Sequence, residues 1–165
     1  MATPTSLPAT FVAGNVLTAA QMNNLRGAFR ILQVVRATDA TSRTTTSTTY
    51  VDANISVTIT PTSADSDIML IWTALAEPTG GTGFTFQEHQ ITDSSNVAIS
   101  GAEAAEIGAE GTTDTYQMAT LIAFDSPATT SATTYKGRFQ AYTGNTARIR
   151  NDFNTGQLYA LEISA

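Results

Sequence analysis

The sequence has no cysteine, and it contains only one histidine, one lysine and one tryptophan among 165 residues. Without cysteine the chain can form no disulfide, no thiolate nucleophile and no zinc-thiolate site, so burial and hydrogen bonds must stabilise its fold. A single histidine also leaves little material for histidine-based catalysis. The N-terminus lacks the charged and apolar regions of a signal peptide, and no run approaches the ~20 apolar residues of a membrane span, which predicts a soluble, unprocessed protein without membrane insertion.

Charge is scarce and mostly negative. Only 13% of the residues are charged, with eight Lys and Arg against fourteen Asp and Glu and a formal net charge of -6. Affinity for phosphate backbones depends on Lys and Arg, so the composition predicts no nucleic-acid partner. Residues 1–50 carry four arginines and one aspartate, net +3, whereas residues 51–165 carry four positive and thirteen negative groups, net -9. The basic part suits docking on an acidic surface, such as a neighbouring subunit, although chance placement explains it equally well.

Small and β-branched residues take the place of the missing charges. The chain has 30 Thr, 25 Ala and 12 Ser. Threonine is enriched in strands, and residues 55–60 show the typical arrangement, in which Ile and Val alternate with Ser and Thr. Such strands have a polar outer face with little charge. A weakly charged surface of this kind suits a subunit packed among neighbours better than a freely diffusing enzyme.

Residues 1–30 are predicted to form an N-terminal docking arm and one short α-helix. Residues 1–15 contain two prolines and are expected to be extended. Thr18 and Gln21 fit a capping box, and apolar residues then recur at helical spacing to about residue 29. A helix of this length is marginal alone, because about 12 to 15 residues are needed in water. The apolar side chains of this segment are therefore the predicted oligomer and docking interface: Phe11, Val12, Leu17, Met22, Leu25 and Phe29.

Residues 31–165 are predicted to form one β-domain, because the hydrophobic period changes there from 3.6 to 2. Residues 41–49 are a loop or an edge strand, and residues 101–114 are an uncertain connection. The predicted strands span residues 31–37, 55–60, 68–75, 84–91, 97–99, 116–124, 135–142, 147–149 and 158–163. The predicted fold class is all-β: an antiparallel jelly-roll-like β-sandwich preceded by an extended N-terminal arm and one short α-helix.

The turn near Gly144 allows a prediction of strand register. A three-residue loop, residues 143–145, would pair Phe139 with Ile149 and Ala141 with Ala147, and would place the αL-tolerant residues where a bulge needs them. A two-residue turn would instead mix core residues with charge. The favoured register puts the basic residues together on the outer face: Arg138, Arg148 and Arg150, with Lys136 near Asp152.

His89, beside Glu88, is the first candidate for chemistry. It could act as a general base oriented by a carboxylate, or it could be a polar residue on the outward face of a strand. The second interpretation is favoured, because no GxSxG or similar context supplies a nucleophile and oxyanion donors. Trp72 lies in an apolar strand and is predicted to be a core residue rather than a sugar platform.

Other polar patterns are weaker. Asp65 and Asp67 could contribute to a calcium site, but no third ligand or 12-residue loop follows. The carboxylates of residues 103, 106 and 110 would lie on one side of a helical turn, and a solvated loop or short helix explains them without a cation. The glycine-rich residues 80–83 lack the end of a phosphate loop, and the sequon at Asn54 begins a strand. No metal, cofactor or catalytic residue is predicted.

Residues 12–25 (VAGNVLTAAQMNNL) resemble an N-terminal segment common among minor tail proteins, fibres and other virion proteins of tailed bacteriophages. The body is similar to β-domains of the same proteins at residues 48–53 (TTYVDA), 56–63 (SVTITPTS), 134–140 (TYKGRFQ) and 158–163 (LYALEI). Together these stretches cover about half of the chain. Residues 80–114 depart from the pattern, and partner specificity is expected there.

The resemblance implies a non-enzymatic structural component of a bacteriophage virion, in the tail, fibre or head-decoration category, assembled in the host cytoplasm. The arm and helix would anchor it to other virion proteins, and the β-sandwich would be displayed outward. Such proteins are commonly trimers, which would bury the helix stripes around an axis. The alternative is a module that binds a host-surface receptor or carbohydrate. A hydrolase is disfavoured, because no catalytic constellation is evident.

Overall fold

The computed structural model of the protein describes residues 16, 18, 31–80, 83–111 and 114–164. Apart from residues 16 and 18, the segment predicted as arm and helix (residues 1–30) lies outside these ranges, as do the predicted docking residues Phe11, Val12, Leu17, Met22, Leu25 and Phe29. Within the described ranges the chain is all-β and contains no helix. The strands are β1 (Ile31–Asp39), β2 (Arg43–Thr45), β3 (Val51–Ile59), β4 (Asp67–Ala76), β5 (Phe84–Asp93), β6 (Ala105–Glu110), β7 (Gln117–Asp125), β8 (Thr133–Ala141), β9 (Ala147–Ile149) and β10 (Gly156–Ile163).

The strands form two antiparallel sheets that face each other as a sandwich. The first sheet has the order β1-β10-β4-β7, with the short β2 and β9 continuing the lines of β1 and β10. The second sheet has the order β3-β8-β5-β6. The pairs are nested along the chain: β1 with β10, β3 with β8, β4 with β7, and β5 with β6. An antiparallel sandwich, as the sequence predicted, is therefore present.

Strict alternation places one side of each central strand in the core. In β3, Ile55, Val57 and Ile59 are at most 4% exposed, as the alternating pattern predicts. In β4 the tryptophan at position 72 is 1% exposed, which confirms it as a core residue. Sheet pairing aligns it with the inward Leu121 of β7 and Leu158 of β10. The run at residues 68–75 is the central strand that its apolar composition predicted, since β10 and β7 flank it.

Glu162 is a buried charge at the end of the sandwich. Its carboxylate accepts hydrogen bonds from Gln33 Nε2 at 2.7 Å and from the backbone nitrogen and hydroxyl of Thr62 at 2.7 and 2.8 Å. Burial alone would raise the pKa of Glu162, but these donors, led by Gln33, lower it to about 2. Because Gln33 lies in β1 and Thr62 follows β3, the carboxylate ties the first sheet to the second.

The predicted pairing around Gly144 is wrong. β8 belongs to the second sheet and β9 to the first, so residues 142–146 cross between layers rather than closing a hairpin. Phe139 and Ile149 are both buried, as that register required, but they reach the core from opposite sheets. Alternation reports which side of a strand is apolar, and it carries no information about which strand supplies the hydrogen bonds.

Three further predictions change with the structure. The basic residues do not share one face: Lys136 and Arg138 contact Asp52 of β3, whereas Arg148 and Arg150 contact Glu77 after β4. Residues 97–99 form only an isolated bridge, between Thr92 and Ala98. The uncertain connection at 101–114 contains strand β6 instead of a helical turn, so its carboxylates do not line one helix face: Glu103, Glu106 and Glu110.

Candidate interaction surfaces

His89 lies inside the sandwich, and the prediction that it faces outward is wrong. Its side chain is 0% exposed, and its ring stacks on the indole of Trp72 with centroids 5.0 Å apart. Gln87 Nε2 lies 2.7 Å from His89 Nε2 and can donate to it. Burial lowers the pKa of His89 to about 3. The imidazole is therefore neutral at physiological pH and out of reach of a substrate in solvent.

Strand β5 is inverted relative to its hydrophobic pattern. Its polar residues Thr85, Gln87 and His89 point inward and are all 0% exposed, while Phe84 points outward and is 55% exposed. The inward amide of Gln87 accepts from the backbone nitrogen of Arg148 at 2.8 Å and donates to its carbonyl at 3.0 Å. This pair of bonds joins β5 of the second sheet to β9 of the first. The inversion gives Thr85 and Gln87 hydrogen-bond partners inside the sandwich, leaves His89 Nδ1 without one among the described residues, and places two phenylalanines on the surface.

The displaced rings form an aromatic cluster on the outer face of the second sheet. Phe84 and Phe86 are stacked with centroids 5.9 Å apart, and Tyr142 meets Phe86 edge-on at 6.3 Å. Tyr142 is 51% exposed. A β-carbon at Gly108 would lie 2.6 Å from Phe86 Cδ1, so the glycine leaves room for that ring on β6. The cluster is a shallow apolar platform of three rings.

A hydrogen-bonded carboxylate lies beside the aromatic cluster. Glu88 is the next outward residue of β5 after Phe86, and it accepts from Gln140 Nε2 at 2.6 Å and from the Tyr50 hydroxyl at 2.9 Å. Burial, and then the bond to Glu88, raise the pKa of Tyr50. The rest of this outer face carries polar and charged side chains, including the Asp52 ion pairs with Lys136 and Arg138. Its chemistry combines rings with fixed polar groups.

The outer face of the first sheet has a different composition. Pairing registers align its outward residues in rows across the four strands. One row is entirely apolar, a second has one arginine, a third is polar and uncharged, and a short fourth is apolar. We call this surface the apolar face. Its first row is Val34, Leu161, Met69 and Phe124, and its second row is Arg36, Tyr159, Ile71 and Ile122. Its third row is Thr38, Gln157, Thr73 and Thr120, and its short fourth row is Leu75 and Met118.

The apolar face is exposed where it is most hydrophobic. Val34 and Phe124 are each 55% exposed, Met118 is 50% exposed and Ile122 is 49% exposed. The one charged group within these rows, the guanidinium of Arg36, lies 5.9 Å from the ring centroid of Tyr159, and Asp67 lies in the next row, paired with Ile163. Contiguous apolar surface of this kind marks an interaction site in soluble proteins.

An ion cluster around the buried Glu77 lies in the first sheet, where β9 pairs with the end of β4. Glu77 is 2% exposed, and its carboxylate lies 2.7 Å from Arg150 and 3.5 Å from Arg148. Burial would raise the pKa of Glu77, but hydrogen bonds from Tyr116 and Arg150 hold it below its ordinary value. The Arg150 guanidinium also lies 4.2 Å from the ring centroid of Phe153. Each arginine already has a carboxylate partner. Because Arg150 follows β9 directly, its ion pair with Glu77 fixes the start of the loop between β9 and β10.

The other residues that the sequence suggested as ligands do not come together in a site. Asp67 accepts from the Ser126 hydroxyl at 2.5 Å. Across the described ranges, no three metal-ligating side chains come together in a group that could hold a metal ion. Gly80 and Gly83 have positive φ, 82° and 97°, and the two residues between them are outside the described part of the chain. No described helix has the length and apolar character needed to cross a membrane.

The fold and its surfaces define a class: an antiparallel β-sandwich with one apolar and one polar, aromatic outer face. Neither the protein-family models nor the curated proteins compared with the chain gave a match. Hydrophobic patterns alone could not locate the two outer faces, because each face is defined by which strands pair with each other. The one available signal was the Phe-Thr-Phe-Gln-Glu-His-Gln run of β5, in which aromatic and polar residues alternate and either side could face the core.

Proposed function

We propose that the protein is a non-enzymatic structural component of a bacteriophage virion, in a tail, fibre or head-decoration position, built on a jelly roll. The apolar face is the observation that supports an assembly role, because a subunit buries such a surface against its neighbours. The assignment to a virion rests on the resemblance of residues 12–25 and of the stretches in β3, β8 and β10. In this role the N-terminal segment anchors the chain to other virion proteins, and three copies form a trimer.

The nested strand pairs support the jelly-roll assignment. When β1 and β2 count as one strand, and β9 and β10 as another, each sheet has four strands. The first strand then pairs with the last, the second with the seventh, the third with the sixth and the fourth with the fifth. A long antiparallel hairpin rolled into two layers has this pairing, and eight-stranded jelly rolls occur in viral capsid and lectin domains.

Particle incorporation tests the virion role. Particles purified on a density gradient from a lysate of the phage that encodes the chain should contain it by mass spectrometry. Deletion of residues 2–29 should leave a β-domain that accumulates but is missing from particles. In the full-length chain, Leu25→Asp should reduce incorporation and Asn24→Asp, predicted on the polar side of the same helix, should not. Normal incorporation of the deletion would contradict the anchoring role, and absence of the wild-type chain from particles would contradict the virion role itself.

The aromatic cluster favours a second function, recognition of a host carbohydrate. Sugars present apolar C–H faces that stack on rings and hydroxyls that bond to carboxylates and amides, and here the rings adjoin Glu88 and Gln140. A glycan array with the purified protein should show selective binding, which Tyr142→Ala should abolish. Phe153→Ala removes an exposed ring outside the cluster and should leave binding unchanged. No binding to any glycan, or equal loss in both variants, would reject this function.

A further inference from the structure

We propose that the apolar face binds a second copy of this chain. The proposal deepens the assembly role above and rests on it, since it names the partner of that surface. Three properties of the face support self-association: the area that it exposes, its low charge, and the strand at its edge.

The exposed area is comparable with the apolar area that a stable interface requires. A large side chain has roughly 150–200 Å² of surface, so the four residues near half exposure leave about 350 Å² of apolar surface. The partly buried apolar residues of the face add to this. A standard interface buries about 800 Å² per partner, of which about 65% is apolar in homodimers, or roughly 500 Å². These four residues alone therefore supply about two thirds of the apolar area that one partner of an ordinary homomeric interface buries.

The composition of the face makes it complementary to itself. Nine of its fourteen residues are apolar, four are uncharged Thr or Gln, and one is Arg36. The protein as a whole has a formal net charge of -6, which disfavours association of two copies through their charged surfaces. On this face the only like-charge contact would involve a guanidinium that already covers Tyr159. A charged partner of a different kind would be expected to meet several matching charges on the face, and the face has one, Arg36.

Strand β7 lies at the edge of the face without protection against pairing. Among the described strands its backbone pairs only with β4, and its sequence from Gln117 to Asp125 has no Lys, Arg or Pro. Its outward residues Met118, Ile122 and Phe124 are about half exposed. Soluble monomers protect long edge strands with charges, prolines or bulges. An unprotected nine-residue edge is compatible with solubility when another subunit covers it.

The oligomeric state of the purified full-length protein tests the proposal. Light scattering up to about 100 μM, which covers the affinities common for an interface of this size, should give a multiple of the 17.4 kDa chain mass. Ile122→Asp should weaken association at least about tenfold, because it places a charge in the middle of the interface. Ser56→Asp adds the same charge on the outer face of the second sheet and should leave the mass unchanged. A monomeric wild-type protein would overturn the proposal, as would equal masses for both variants.

A second measurement covers the case in which Ile122→Asp does not fold. The chain has no native cysteine, so Thr120→Cys and Ser56→Cys each provide one site for a spin label. A label at position 120 should be immobilised and show dipolar broadening from a second copy, whereas one at position 56 should show neither. Immobilisation at 120 without broadening would overturn the proposal in favour of cover by residues 1–30 of the same chain. Because these measurements need no particles, self-association can fail or succeed independently of virion incorporation.

Discussion

Replacement of Glu162 by glutamine tests whether one buried carboxylate holds the two sheets together. Glutamine keeps the shape of the side chain and can present its oxygen to Thr62, but its amide group then faces Gln33 Nε2, which is also a donor. The variant loses one charge-assisted hydrogen bond and creates a donor-donor contact. Hydrogen bonds to charged groups contribute about 1.5–3 kcal/mol, so we expect the free energy of unfolding to fall by about 2–3 kcal/mol at pH 7.

The pH dependence of this difference identifies its cause. The pKa of Glu162 is about 2 in the folded protein, against an ordinary value of 4.5. A carboxyl group whose pKa is lowered by folding stabilises the protein above its unfolded pKa, and this stabilisation is lost as the pH falls through the folded value. The difference between wild type and Glu162→Gln should therefore be complete above pH 4.5 and shrink steadily toward pH 2.

Urea denaturation followed by tryptophan fluorescence provides the assay. Trp72 is the single tryptophan and is 1% exposed, so its emission reports loss of the core. The exposed Glu110→Gln is the matched control, and a surface substitution of this kind should change stability by less than about 0.5 kcal/mol. A variant as stable as wild type at pH 7, or a gap that stays constant down to pH 2.5, would refute this account of Glu162.

Three further predictions concern core residues: two substitutions and one titration. Gly137→Ala would place a β-carbon 2.8 Å from Trp72 Cε2 and 2.9 Å from Ile55 Cγ2, and should lower stability by about 1–3 kcal/mol in the same assay; an unchanged urea midpoint would show that the ring can move aside. Gln87→Leu removes both partners of the Arg148 backbone and should lower stability by about 2–4 kcal/mol, whereas wild-type stability would mean that the inverted strand does not depend on this link. The His89 imidazole, with its pKa lowered to about 3, should show constant NMR shifts from pH 8 down to about pH 4. An inflection near 6.5 would contradict its burial. Because unfolding releases this group to take up a proton, His89 should lower the stability of the whole protein as the pH falls from 6.5 to 3.

The positions of the strands could be predicted because hydrophobic period is a local property. Residues 55–60 alternate so regularly that β3 and its three buried residues follow from the sequence, and the apolar run around Trp72 predicts a central strand. The inward side of β5 could not be predicted in this way. Phe84 and Phe86 favour one orientation, and the pairing of Gln87 with the Arg148 backbone, which exists only when the sheets meet, fixes the other.

The outcome at Gly144 has the same explanation. The apolar residues before and after the turn, such as Phe139 and Ile149, are buried. A hairpin would bury them as well as a crossing between the sheets does. The crossing is selected because β8 pairs with β3 and β5 while β9 pairs with β2. Those partners lie dozens of residues away along the chain, and local spacing carries no information about them.

By itself, the sequence determined that the described part of residues 31–165 is an all-β domain with a core of alternating Ile, Val and Leu, and that the chain has a low charge and no cysteine chemistry. Only the tertiary structure decided which residues meet: it buried His89 against Trp72, moved two phenylalanines to the surface, and aligned four strands into an apolar face. The physical reason is that burial along one strand depends on neighbours within a few residues, whereas a surface is created by strand pairing between segments far apart in the chain.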